Sequence, residues 1–116
     1  MIYTTGSVSL AALEILVNSS VLPLNFSLAQ ITIPDSVAIE HIPDRQLPDH
    51  WDSLAPGPET QQLGDQWVKE QRSAVLSVPS SVITSERNFV LNPAHPDFSE
   101  IHFSVPQRFI FDPRLR

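Results

Sequence analysis

Ala74-Val75-Leu76-Ser77-Val78 stopping at Pro79, Phe89-Val90-Leu91 stopping at Asn92-Pro93, Ile101-His102-Phe103-Ser104-Val105 stopping at Pro106, and Arg108-Phe109-Ile110-Phe111 stopping at Asp112-Pro113 are the runs that decide the fold class. Each is rich in β-branched or aromatic residues, and each meets a proline, which has no N–H to give to a ladder. They predict four strands in the second half of the chain. Upstream, Gln61 to Gln71 has no proline and places Leu63, Trp67 and Val68 on one helical face, which predicts a helix. Further back, Leu28-Ala29-Gln30-Ile31-Thr32-Ile33 predicts a strand ending at Pro34, and Ile2-Tyr3-Thr4 predicts another. Between these two, Ser7 is a suitable N-cap for a helix running to about Asn18. Eleven prolines against three glycines punctuate the chain, and their concentration from Pro34 to Pro58 predicts a loop. Helices early and strands late imply an α+β fold, with helices packed on a mixed or antiparallel sheet and residues 1–116 forming a single domain.

The totals restrict the function. A composition of 41% hydrophobic and 17% charged residues is that of a folding globular chain. Thirteen acidic residues against seven basic ones give a formal net charge of -6, which argues against a nucleic-acid partner. The absence of cysteine rules out a disulfide framework and thiolate chemistry and agrees with a reducing compartment, so cytoplasm is the expectation. Leu10 to Val17 is too short to span a bilayer, and the first residues lack the basic flank of a secretory signal. A homo-oligomer is neither required nor excluded by these features.

The residue that stands out chemically is Glu14. Leu10, Leu13, Glu14 and Val17 share one face of the first helix, and Ala11, Ala12, Ile15 and Leu16 cover the rest, so the helix is expected to be buried on most sides. A carboxylate in such a place needs a partner or a shifted protonation equilibrium. It is either a functional acid facing a cleft or a structural one, at the frayed edge of the helix or tied to an arginine, and periodicity does not choose between them.

The order of short motifs adds a resemblance. Ile2-Tyr3-Thr4, Leu10-Ala11-Ala12-Leu13-Glu14-Ile15-Leu16-Val17, Leu63-Gly64-Asp65-Gln66-Trp67, Val78-Pro79-Ser80-Ser81-Val82, Asn88-Phe89-Val90-Leu91-Asn92-Pro93-Ala94-His95-Pro96-Asp97-Phe98 and Phe111-Asp112-Pro113-Arg114-Leu115 resemble, in sequence and in order, the landmarks of the RES domain family. The likeness runs from Tyr3 to Leu115. It implies a fold similar to that of ADP-ribosyltransferases, NAD as substrate rather than resident cofactor, and cleavage of its nicotinamide–ribose bond as an NAD phosphorylase, a glycohydrolase or an ADP-ribosyl transferase. It also implies a bacterial toxin–antitoxin pair with an Xre-type antitoxin as partner. By their motif contexts, Tyr3, Glu14 and Ser80 match the tyrosine, glutamate and serine of the family's polar set. Glu14 and Ser80 are thus the expected catalytic residues, and Tyr3, Ser80 and Asn92 the expected NAD contacts. The family's arginine has no counterpart, because Tyr3 follows Met1 by two residues, so the resemblance implies a domain shortened at its N-terminus. The alternative that this opens is an inactive domain that only binds an antitoxin, or a gene remnant.

The chemistry suits these residue types. Cleaving a glycosidic bond to nicotinamide builds positive charge on the ribose, and a carboxylate such as Glu14 stabilises it most as that charge develops. Tyr3 can stack on nicotinamide or ribose, and Ser80 can offer a hydroxyl to ribose or pyrophosphate. No Gly-x-Ser-x-Gly elbow surrounds Ser80, which sets a serine-hydrolase triad aside. Without the arginine, affinity for NAD should suffer; Arg87, Arg108 and Arg114 are substitutes that nothing in the sequence aims at the site.

Other candidates have structural readings. His41, Asp44, Asp49 and His50 lack the compact spacing of a metal site, and no metal is expected. Asn92, His95 and Asp97 between prolines organise a turn or contact the ligand. Trp67 is expected in the core, and Trp51 there, as a loop anchor or as part of a contact surface.

Overall fold

A computed structural model describes residues 1–22, 25–43, 47 and 58–115, the side chains of 58–61 excepted. It shows an α+β fold whose centre is a four-stranded mixed sheet in the order β1 (Ile2–Thr5), β6 (Arg87–Leu91), β5 (Val75–Pro79) and β4 (Ile39–His41). β1 and β5 run antiparallel to β6, and β4 runs parallel to β5. Side chains alternate across a strand, so this register sorts them into two layers. Ile2, Leu91 and Val75 lie in line on one face, against Val37, Ala74 and Ile101. Val90 and Leu76 lie on the other face, against Ile42 and Trp67.

The second layer is closed by helix α2 (Pro58–Glu70), which starts with a proline at a position where no N–H is needed. Trp67 is fully buried, as expected, and its indole N–H has a partner: Nε1 donates to Ser73 Oγ at 2.9 Å, and Ser73 in turn donates to the carbonyl of Val75 at 2.7 Å. The helix is therefore tied to the start of β5 by a short polar chain as well as by apolar contact.

Helix α1 (Val8–Val17) begins where the sequence places it. Ser7 is in an extended conformation and its Oγ accepts from the N–H of Leu10 at 3.1 Å. Gly6 precedes it because the chain passes close to β6: a Cβ there would sit 3.3 Å from the carbonyl oxygen of Arg87. At the other end, Asn18 Nδ2 donates to the carbonyl of Glu14 and Ser19 Oγ to that of Ile15, so side chains tie down the last turn. The expectation of a helix buried on most sides is corrected. Only Leu10 is buried in α1, while Val8, Leu13 and Val17 are 54%, 40% and 58% exposed, because among the described residues the main element that α1 packs on is β1.

Two further expectations change. The run Leu28–Ile33 is not one strand but two, β2 (Phe26–Leu28) and β3 (Ile31–Thr32), pairing with β8 (Gln107–Phe109) and β7 (His102–Phe103) respectively. Gln30 and Ser104 link the two ladders, with the Gln30 N–H donating to Ser104 Oγ and the Ser104 N–H to the Gln30 carbonyl. The register slips by one residue across 104–106, where Pro106 cannot donate, so the ribbon carries a bulge. The Pro34–Pro58 stretch is not all loop, since β4 forms within it. Asp44, Asp49, His50 and Trp51 lie outside the described residues.

Candidate active site

The turn Thr5-Gly6-Ser7 reverses the chain from β1 into α1 and carries Glu14 back to the start of β6. There Glu14 Oε1 accepts two hydrogen bonds, from Ser80 Oγ at 2.9 Å and from Asn88 Nδ2 at 2.7 Å. The two donors come from residues 66 and 74 positions away in the chain. Among the described residues Oε2 has no hydrogen-bond partner, so one carboxylate oxygen is anchored and the other is available.

Ser80 is fully buried and its hydroxyl is committed. Its proton goes to Glu14, while its oxygen accepts from the N–H groups of Val82 and Ile83 at 3.1 and 3.2 Å, which fixes the turn after β5. The Ser80 N–H donates to the carbonyl of Glu86, closing the same turn.

Glu14 also lines a cleft of about 1340 Å³ bounded by β1, α1, β2 and β3, with Tyr3, Thr5, Ala11, Phe89 and Phe103 among its walls. Tyr3 is 73% exposed on the edge strand, its ring free to meet a ligand. Glu14 and Tyr3 are the only titratable side chains lining this cleft among the described residues, and no lysine, arginine or histidine lines it.

Of the residues singled out in the sequence, Glu14 and Ser80 are thus in direct contact, and Tyr3 shares the cleft with Glu14. Asn92 is elsewhere. It is buried at the end of β6, where its Oδ1 accepts from the N–H of Ala94 and its own N–H donates to the carbonyl of Ala74. His95 Nδ1 accepts from the N–H of Asp97 at 3.0 Å and caps the 3-10 helix Pro96–Glu100, so this motif builds a turn. The arginines are placed as follows. Arg87 donates to Ser77 Oγ and to the carbonyls of Ser77 and Ile42, lacing β4 to β5. Arg114 is paired with Asp112 on the surface, and Arg108 is exposed on β8 opposite Ser27. Asn88 was not foreseen as a site residue. Its signal was a strand-averse amide opening a strand-prone run.

The sequence is similar to that of known proteins. The family model described as RES domain matches residues 1–112. A protein named "Prs ADP-ribosylating toxin" from Sphingobium sp. is 39% identical over 119 residues, spanning 99% of this chain and 74% of that protein. Two proteins named "Toxin Res" are 41% and 36% identical: the first, from Yersinia enterocolitica, is covered over 77% of its length and the second, from Photorhabdus laumondii, over 74%, with 99% and 98% of this chain aligned.

Proposed function

The chain belongs to the RES domain family, and on that premise we propose that it is a toxin domain that cleaves the nicotinamide–ribose bond of NAD, with Glu14 as the carboxylate that stabilises the ribose as positive charge builds. The observation that carries this reading is the carboxylate clamp: Glu14 is held through Oε1 by Ser80 and Asn88 at the wall of a cleft, with Oε2 unpartnered among the described residues.

The chemistry follows from that arrangement. The nicotinamide ring of NAD is a cation, and Glu14 is the one carboxylate lining the cleft among the described residues, so the nicotinamide end of the dinucleotide is the end attracted to it. As the C1′–N bond lengthens, its electron pair leaves with nicotinamide and the positive charge moves onto the ribose. Glu14 Oε2 accepts a hydrogen bond from a ribose hydroxyl and opposes that charge, an interaction stronger in the transition state than in the ground state. Tyr3 stacks on the nicotinamide or the ribose from the edge strand. Ser80 acts through Glu14, because its proton is already used and its side chain is buried. The acceptor, water, phosphate or a protein side chain, takes the freed C1′, with water losing a proton on attack.

Purified protein incubated with NAD should release nicotinamide, measured chromatographically with and without added phosphate. Release that depends on Glu14 supports the reading, and none above a Glu14→Ala control refutes it. A second reading has its own observation: no cation lines the cleft among the described residues, so the pyrophosphate of NAD finds no clamp there. On this reading the chain is a folded module that engages an Xre-type antitoxin without turning over NAD, and co-purification with the product of the neighbouring gene tests it.

A further inference from the structure

We infer that Asn88 is a positioning residue for Glu14, fixing the plane of its carboxylate for the NAD cleavage proposed above, on which this inference rests. Asn88 is the second residue of β6, opposite Thr5 of β1 and Val78 of β5, so its place is set by the sheet register on both sides. Its amide orientation follows from its partner. A carboxylate only accepts, so the group 2.7 Å from Glu14 Oε1 is the N–H of Nδ2.

That choice leaves the other end of the amide in an unfavourable place. Asn88 Oδ1 is buried with no hydrogen-bond partner among the described residues. A buried amide oxygen without a donor is costly, and a position needed only for packing would be filled better by an apolar side chain. What the asparagine supplies that an apolar residue cannot is the N–H to Glu14.

Geometry says what this N–H does. A single donor would leave the carboxylate able to pivot about one contact. Two donors on the same oxygen, one from the turn after β5 and one from β6, hold it against rotation and leave Oε2 as the working oxygen. The restraint matters because α1 is itself lightly held, with Leu10 its only buried residue. A displacement of the helix is transmitted to Glu14 unless the side chain is tied to the sheet.

The experiment compares nicotinamide release from NAD by the wild-type chain, Asn88→Ala and Asn88→Asp, alongside crystal structures of wild type and Asn88→Ala. Asn88→Ala should lose about 10- to 100-fold in kcat with KM within about twofold of wild type, the expectation for a bond to a charged group that is used mainly in the transition state. Asn88→Asp keeps the shape but sets a second carboxylate against Glu14. It should be the worse variant at alkaline pH and should recover as pH falls, when one proton shared by the pair restores a donor. A space-filling role predicts the reverse ranking, with Asp the milder change and no recovery. In the crystal, the Glu14 carboxylate of Asn88→Ala should leave its wild-type orientation or occupy more than one. An Asn88→Ala variant with wild-type turnover, or with the Glu14 carboxylate unmoved, overturns the inference. If the wild-type chain itself cleaves no NAD, the reading of the function fails, and the carboxylate orientation alone still decides the role of Asn88.

Discussion

Replacing Glu14 in two ways separates its charge from its hydrogen bonds. In Glu14→Gln the side-chain oxygen can still accept from Ser80 Oγ and Asn88 Nδ2, so both bonds at 2.9 and 2.7 Å survive, while the negative charge is lost and an NH2 donor replaces the Oε2 acceptor. Removing a preorganised group aimed at developing charge typically costs about 100- to 1000-fold in kcat, or roughly 2.7–4 kcal/mol of transition-state stabilisation. The melting temperature should stay near wild type, because the fold does not depend on the charge, and KM should rise by far less than kcat falls, since the attraction of the carboxylate for the nicotinamide cation is weaker than its hold on the developing charge. Glu14→Ala should lose at least as much activity and stability besides. It strands the Ser80 hydroxyl and the Asn88 amide, and an unsatisfied buried polar group costs about 1–3 kcal/mol. Since Glu14 is half-buried and water can reach its place, the low end of that range is expected. For a chain of this size that corresponds to a fall of about 3–6 °C in melting temperature. Nicotinamide release and differential scanning calorimetry on the same preparations read the two effects separately. Glu14→Gln retaining turnover within about threefold of wild type would refute the electrostatic role, since a factor of three is only about 0.65 kcal/mol.

Three other outcomes follow from contacts away from Glu14. Arg87→Lys should destabilise the chain by about 1.5–3 kcal/mol in urea unfolding, because an ammonium cannot reproduce the fork that reaches Ser77 and Ile42, and KM for NAD should not change. A large rise in KM would instead make Arg87 a pyrophosphate ligand. Trp67→Phe should cost about 0.5–1.5 kcal/mol for the bond to Ser73, and Trp67→Ala about 3–5 kcal/mol for the emptied core, by the same unfolding assay. Equal effects of the two would show that the indole N–H contributes nothing. The Asp112 carboxyl is held below its usual range by the side chain of Arg114. A depressed folded-state value means that the pair favours the folded chain above the ordinary Asp range and stops doing so as pH falls through the lowered one. Because the pair is fully exposed, the expected readout is a carboxylate titration by NMR that returns to the ordinary range in Arg114→Gln, with no change in melting temperature.

Much of this architecture is legible from local chemistry. Prolines at 79, 93, 106 and 113 stop apolar β-prone runs, and Ser7 caps a helix where the chain must turn. Glu14 stands out for the same reason, as an acid amid apolar neighbours. What is not legible depends on contacts distant in sequence. β4 is three residues long and forms only because β5 offers it a parallel edge. Ser80 is flagged by its motif, yet that its proton points at Glu14 follows from the turn that Val82 and Ile83 close around its oxygen. Asn88 gains meaning only from the pairing of β1 with β6, which brings Glu14 of α1 to its side chain. The outward face of α1 is not legible because a helix apolar on almost every side does not mark which of its residues the rest of the chain covers.

The crystal structure of the Glu14→Gln variant with NAD bound is the most direct test, since that variant keeps the clamp while slowing cleavage. The nicotinamide-side ribose should lie with a hydroxyl within hydrogen-bond distance, about 2.7–3.2 Å, of the residue 14 amide, and the nicotinamide ring should lie against Tyr3. NAD seated away from residue 14, or with its adenosine end there, would contradict the account.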